Sequence, residues 1–120
     1  MGVALTVYQY PGCSTCKRAL AWLRAKGIAF ESIDIVKAPP SSTVLARVRD
    51  LADAPVKRLF NVAGESYRAG DFKSKLPAMS DAAALAALAA DGKLVKRPLA
   101  LSGTRALIGF DETAWAAALL

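Results

Sequence analysis

Apolar and polar residues alternate loosely over 3–9 and stop at Pro11-Gly12, a pattern that predicts a first strand, Val3 to Gln9, closed by a turn. From Ser14 the period changes. Cys16, Ala19, Leu20 and Leu23 recur at three- and four-residue steps, as on one face of a helix, and Gly27 stands where a helix C-terminus accepts a left-handed residue. Ile28 to Val36, with Ile28, Phe30, Ile33 and Ile35, is expected to form a second strand. Strand, helix and strand in this order make a βαβ unit, which implies parallel pairing with a right-handed crossover.

Pro39-Pro40-Ser41-Ser42 then interrupts the chain, and its serines suit the cap of a helix carrying Val44, Leu45, Val48 and Leu51, ended by Ala54-Pro55. Val56 to Pro77 holds one apolar anchor, Leu59-Phe60, among breaks at Gly64, Gly70 and Pro77, so short helices and loops are expected. Ser80-Asp81 caps an alanine-rich helix whose Leu85 and Leu88 face inward and which ends at Asp91-Gly92. Leu99-Ala100-Leu101 and Leu107-Ile108 flank the turn Ser102-Gly103-Thr104 as an antiparallel hairpin, and Asp111 starts a last helix bearing Trp115 and Leu119. Trp22 and Trp115 fall on apolar helical faces and are expected in the core.

Composition narrows the chemistry. The 120 residues are 54% hydrophobic, enough for one packed core, and we expect one domain over 1–120. Histidine is absent, which removes Cys-His and Ser-His catalysis and histidine-assisted zinc binding. A structural zinc needs about four ligands, and two cysteines do not supply them, so no metal is expected. Every apolar run is interrupted well before the ~18 residues of a membrane span. The N-terminus lacks a basic segment and a small-residue cleavage site, so it does not read as a secretory signal, and the expected location is the cytoplasm. Sixteen basic against ten acidic residues give a net charge of +6, which favours acidic partners. The cations are scattered, without a long like-charge run or an aromatic ladder, and read as a solvated surface rather than a nucleic-acid site.

Both cysteines lie in Tyr-Pro-Gly-Cys13-Ser-Thr-Cys16-Lys-Arg, directly after the first strand. Three residues rotate a helix by about 300°, so the two sulfurs share a face and can close a disulfide. At the helix N-terminus, unpaired N–H groups and the positive dipole end favour a Cys13 thiolate, and free cysteine's pKa of about 8.5 typically falls there to about 7 or lower. Cys13 is therefore the candidate nucleophile, and Cys16, a turn inside the helix, the candidate resolving thiol. Ser14 and Thr15 read first as helix-capping residues; with Gly12 and Pro98 they are also the positions expected to border a substrate. Arg97 precedes a proline that opens a strand, either at a sheet edge or with a cis peptide, and would place a permanent cation beside Cys13. The order β-α-β, helices, β-β-α, together with this C-x-x-C, predicts an α/β, thioredoxin-like fold with a helical insertion at about 41–92.

With these residues placed, the chain resembles the arsenate reductase (ArsC)/Spx family of the thioredoxin superfamily over nearly its full length. The likeness is carried by Tyr8-Gln-Tyr-Pro-Gly-Cys13-Ser-Thr-Cys16-Lys-Arg-Ala, by Leu59-Phe60-Asn61 with Gly64-Glu-Ser-Tyr67-Arg68, by Asp91-Gly-Lys-Leu-Val-Lys-Arg97-Pro98, and by Leu107-Ile-Gly-Phe110-Asp-Glu112. The resemblance implies a Cys13 nucleophile with Arg97 near it. Arsenate reductases of the glutaredoxin-coupled type bind their oxyanion with several arginines; this chain has Asn61 and Gly109 where two would be expected, and Arg58 and Arg68 are the available substitutes. Those reductases also commonly lack the second cysteine. Spx-type regulators carry the C-x-x-C as a redox switch and bind the RNA polymerase α-subunit, but usually continue past the length of this chain. The leading expectation is a thiol–disulfide oxidoreductase with no bound cofactor and with glutathione/glutaredoxin or thioredoxin as electron donor. A redox-sensing regulator and a true arsenate reductase are the alternatives.

Overall fold

The computed structural model describes residues 5–120. Four strands form one sheet in the order β2-β1-β3-β4, where β1 is Thr6–Gln9, β2 Glu31–Asp34, β3 Leu99–Leu101 and β4 Ala106–Ile108. β1 and β2 are parallel, whereas β3 runs antiparallel to both β1 and β4. Helix α1, Ser14–Ala25, joins the parallel pair. Between β2 and β3 come α2 (Ser42–Leu51), α3 (Glu65–Ala69), α4 (Phe72–Lys75) and α5 (Asp81–Ala90), with short 3-10 turns among them, and α6 (Glu112–Leu119) follows β4. This is the β-α-β, helices, β-β-α order read from the sequence.

The period of two along each strand divides the core into two layers. Leu5, Val7, Ala100 and Leu107 face α1 and α6, where Ala19, Leu23, Trp22 and Trp115 meet them. Tyr8, Leu99, Leu101 and Ile108 point to the other face, against Leu45, Val48, Leu59, Phe60 and Leu88 of the inserted helices. The tryptophans are core residues: Trp22, Phe110 and Trp115 form a tilted and edge-on cluster with ring centroids 5.0 to 6.3 Å apart.

Local chemistry sets the boundaries. Ser41 Oγ, Ser80 Oγ and Asp111 Oδ1 accept from the backbone N–H groups of Val44, Ala83 and Ala114, capping α2, α5 and α6. Gly27, at φ +68, closes α1 in the left-handed conformation. Two expectations need correction. The second strand covers only Glu31–Asp34, because Ile28 N–H still bonds Leu23 O at the helix end and Asp34 Oδ1 accepts from Val36 and Lys37 N–H, bending the chain away. Ile28, Phe30 and Ile35 thus pack into the core from the connections flanking a short strand, the first two on the α1 side and Ile35 on the other. Ser14 and Thr15 do not cap α1; they are its first two residues, and the cap is Cys13. The first strand is seen from Thr6, and its expected start at Val3 and Ala4 lies outside the described residues.

Gly92 marks the tightest backbone crossing, since a Cβ there would overlap the carbonyl group of Ile35 at the end of β2. Gly92→Ala is expected to destabilise the protein by about 1–3 kcal/mol in urea unfolding, whereas Gly103→Ala, which meets nothing within 4 Å, should change stability by less than about 0.5 kcal/mol.

Candidate active site

The turn after β1 delivers Cys13 to the start of α1. Its N–H donates to Tyr10 O at 3.0 Å, its carbonyl accepts from Lys17 N–H at 3.1 Å as the first helical bond, and its φ and ψ of −93° and 116° are those of a cap. Cys13 Sγ accepts the N–H of Cys16 at 3.3 Å, occupying the place that a serine or aspartate oxygen usually takes. Both cysteines are free thiols. Cys13 is partly exposed and Cys16 is fully buried.

The two sulfurs differ in acidity for identifiable reasons. Burial disfavours a Cys13 thiolate, but the Cys16 thiol facing it, the Cys16 N–H and the guanidinium of Arg97 together outweigh that cost and hold its pKa below the ordinary thiol value. Cys16 is pushed up to about 12, first by burial and then by the sulfur and charge of Cys13; the Tyr10 N–H and Arg97 act in the opposite direction. A partly exposed sulfur of lowered pKa and a buried, protonated one therefore stand one helical turn apart.

Arg97 is positioned from three sides. Its peptide bond to Pro98 is cis, its guanidinium lies over the Tyr10 ring at 5.0 Å from the centroid, and its Nη1 donates to Lys93 O at 3.4 Å. Pro98 is buried at the entry to β3, which pairs with β1, and its carbonyl accepts from Gly109 N–H at 2.8 Å. Gly12 is exposed in the cysteine turn, where a Cβ would come to 3.1 Å from the Tyr10 ring. Ser14 is exposed and Thr15 half-buried beside Cys13. The structure thus brings Cys13, Cys16 and Arg97 together, with Gly12, Ser14 and Thr15 in the same turn of chain.

A cleft of about 380 Å³ opens beside this cluster, with Tyr10 and Arg97 in its wall and Asn61, Glu65, Ser66 and Lys93 opposite or alongside. Cys13 is not on the cleft wall itself. Sequence reasoning missed Lys93, Glu65 and Ser66. Lys93 lies in the 3-10 turn Gly92–Leu94, four residues before Arg97, and the chain is extended at Val95, so no helical spacing in the sequence signalled that the two cations share the cleft. Asn61 does face the cleft, with a neutral amide where an oxyanion reductase would present a cation. Gly109 does not line it; at φ +73 it forms the left-handed turn after β4. Neither Arg58 nor Arg68 lines the cleft. Arg68 Nη1 donates to Ala63 O at 3.0 Å, and Arg58 borders a separate cavity with Lys96 and Ile108.

The model of the ArsC family matches residues 8–118. The chain belongs to the ArsC family. It is similar to the Bacillus subtilis protein YusI, 39% identical over 110 residues that span 92% of this chain and 93% of that one. An ArsC family related protein from Bacteroides fragilis has a TM-score of 0.90 at 38% identity, covering 98% of this chain and 97% of the other. An arsenate reductase from Vibrio cholerae has a TM-score of 0.84 at 26% identity, with both chains covered in full. The global transcriptional regulator Spx of Streptococcus agalactiae is 22% identical, over 90% of this ArsC family chain and 77% of the regulator. The fold is the thioredoxin-like fold of these ArsC neighbours. No helix among the described residues is long and apolar enough to cross a membrane.

A thiolate reacts with iodoacetamide and a thiol does not, so the rate against pH reports the ionisation of Cys13. Alkylation of Cys13 is expected to titrate below the ordinary cysteine range. Arg97→Gln removes a cation that favours the charged form, and should move the midpoint up and slow alkylation severalfold at pH 7, with Cys16 unlabelled throughout.

Proposed function

We propose that this ArsC-family protein is a thiol–disulfide oxidoreductase in which Cys13 is the nucleophile and Cys16 the resolving thiol. The observation that carries the reading is the split in acidity between a partly exposed sulfur at the mouth of α1 and a fully buried one a turn behind it. The Cys13 thiolate attacks one sulfur of a substrate disulfide; a Cys13–substrate S–S bond forms as the substrate's own S–S bond breaks, and the departing thiolate takes up a proton from water. Capture of the substrate removes the Cys13 charge that had added to the effect of burial in raising the pKa of Cys16; burial still opposes its ionisation, and the Tyr10 backbone and Arg97 favour it. Cys16 then loses its proton to solvent and attacks Cys13 Sγ, forming the Cys13–Cys16 disulfide and expelling the second half of the substrate as a thiolate. The substrate gains two electrons and the protein is oxidised. Two glutathione thiols, or a thioredoxin dithiol, return those electrons.

The cleft suits a small peptide thiol. Lys93 and Arg97 are complementary to its carboxylates, Glu65 to an ammonium group, and Asn61 to an amide. Gly12, Ser14, Thr15 and Pro98 border the place where the substrate sulfur would lie. Arsenate reduction is the weaker reading, because Arg97 is the one arginine of the cleft and tetrahedral anions are held best by several bidentate guanidinium groups. A redox-sensing regulator is the second reading. It is favoured by the likeness to Spx and to the regulatory protein MgsR, and by the exposed Lys17 and Arg18 that follow the cysteines on α1, a cationic edge for an acidic partner such as the RNA polymerase α-subunit.

In insulin reduction driven by glutathione or thioredoxin, Cys13→Ser is expected to fall to the background rate, and Cys16→Ser to accumulate a mixed disulfide on Cys13 detectable by mass. Equal activity of all three proteins overturns the assignment. The regulator reading predicts instead that the immobilised protein retains RNA polymerase from lysate in a manner changed by oxidation; no retention in either redox state removes it.

A further inference from the structure

A second cavity, of about 420 Å³, lies against α3 and has no part in the thiol chemistry. Ser66 and Glu65 of α3 line the cleft beside Arg97, while Tyr67 of the same helix lines this cavity instead. Its apolar wall includes Val56, Leu76 and Met79, and its polar groups are few: Lys57, Lys73, Tyr67 and Asp81. Few polar groups converging on an apolar cavity of this size are the usual make-up of a small-molecule site.

Three observations define what would fit. Tyr67 is 8% exposed, and its ring is fixed between Phe60 and Phe72 at centroid distances of 6.2 and 6.1 Å. Its hydroxyl has no hydrogen-bond partner among the described residues, is not sealed from solvent, and belongs to a residue that lines the cavity. A largely buried phenol normally finds a partner. Lys57 and Lys73 are exposed at the cavity and make no ion pair among the described residues. The charge of Asp81 is already engaged by Arg49 Nη1 at 3.3 Å. The cavity thus offers a hydroxyl and two cations without a protein partner among the described residues, groups complementary to an acceptor with negative charge.

We propose that this cavity binds a small carboxylate with an apolar body. The body lies against Val56, Leu76 and Met79, and the carboxylate accepts from the Tyr67 hydroxyl between Lys57 and Lys73. The site stands independently of the chemistry assigned to Cys13.

Octanoate titrated into the full chain while amide NMR spectra are recorded tests this directly. The expected result is saturable shifts centred on Lys57, Tyr67, Lys73 and Met79, with octylamine, the cation of the same chain length, binding more weakly. Tyr67→Phe and the paired substitution Lys57→Gln with Lys73→Gln are each expected to weaken octanoate by about threefold, in the range of an exposed polar or ionic contact; the dispersion of the same spectra reports that the variants are folded. Absence of saturable shifts at millimolar octanoate, shifts centred on another cavity, or equal binding of octylamine by the unaltered protein would overturn the proposal.

Discussion

The contact on which the site depends is the sulfur of Cys13 accepting the N–H of Cys16. Every helix begins with backbone donors that have no partner within it, and a capping side chain ordinarily meets one of them with oxygen. Here the cap is a cysteine sulfur. The bond that starts α1 in register also favours the ionised form of Cys13. Burial works against the charge, so the acidity of Cys13 is a balance among burial, the Cys16 groups and Arg97, not the gift of one neighbour.

That balance requires α1 and Arg97 to be held in fixed relation, and the layer of core on the α1 side does this. Ala19, Trp22 and Leu23 bury α1 against Val7 and Ala100 of the sheet. Trp115 of α6 packs against Trp22 and donates its indole N–H to Gly109 O at 2.9 Å, while Gly109 N–H reaches back to Pro98 O at 2.8 Å. The left-handed turn at Gly109 therefore links the terminal helix to Pro98 at the entry to β3, and Arg97 immediately precedes that proline. Tyr10, from the cysteine turn, takes the guanidinium from the other side. Cys13 and Arg97 approach each other from separate parts of the chain because β1 and β3 are neighbours in the sheet.

The inserted helices serve a different purpose. With the turns between them they cover the opposite face of the sheet through Leu45, Val48, Phe60 and Leu88, and Glu65 and Ser66 of α3 join Asn61 of the preceding loop at the cleft. The charges beside the cysteines are consequently mixed, one arginine and one lysine with a carboxylate and an amide.

Much of this was legible without coordinates, and the reason is locality. Caps at Ser41, Ser80 and Asp111, the left-handed Gly27, the hairpin around Gly103 and the one-turn spacing of Cys13 and Cys16 are written in contacts a few residues apart, where covalent geometry and hydrogen-bond demand suffice. Local chemistry misled where partners decide. β2 ends at Asp34 although Ile35 continues the apolar alternation, because β1 offers only four residues to pair with and Asp34 turns the chain. Ser14 and Thr15 are good capping residues, but the turn from Tyr10 places the cysteine at the cap one residue earlier. Tertiary structure alone determined that Arg97 stacks on Tyr10, that Asn61 and Lys93 share a cleft, and that Arg58 and Arg68 stay out of it. Those outcomes depend on the order of strands and the packing of helices distant in sequence, which no periodicity along the chain encodes.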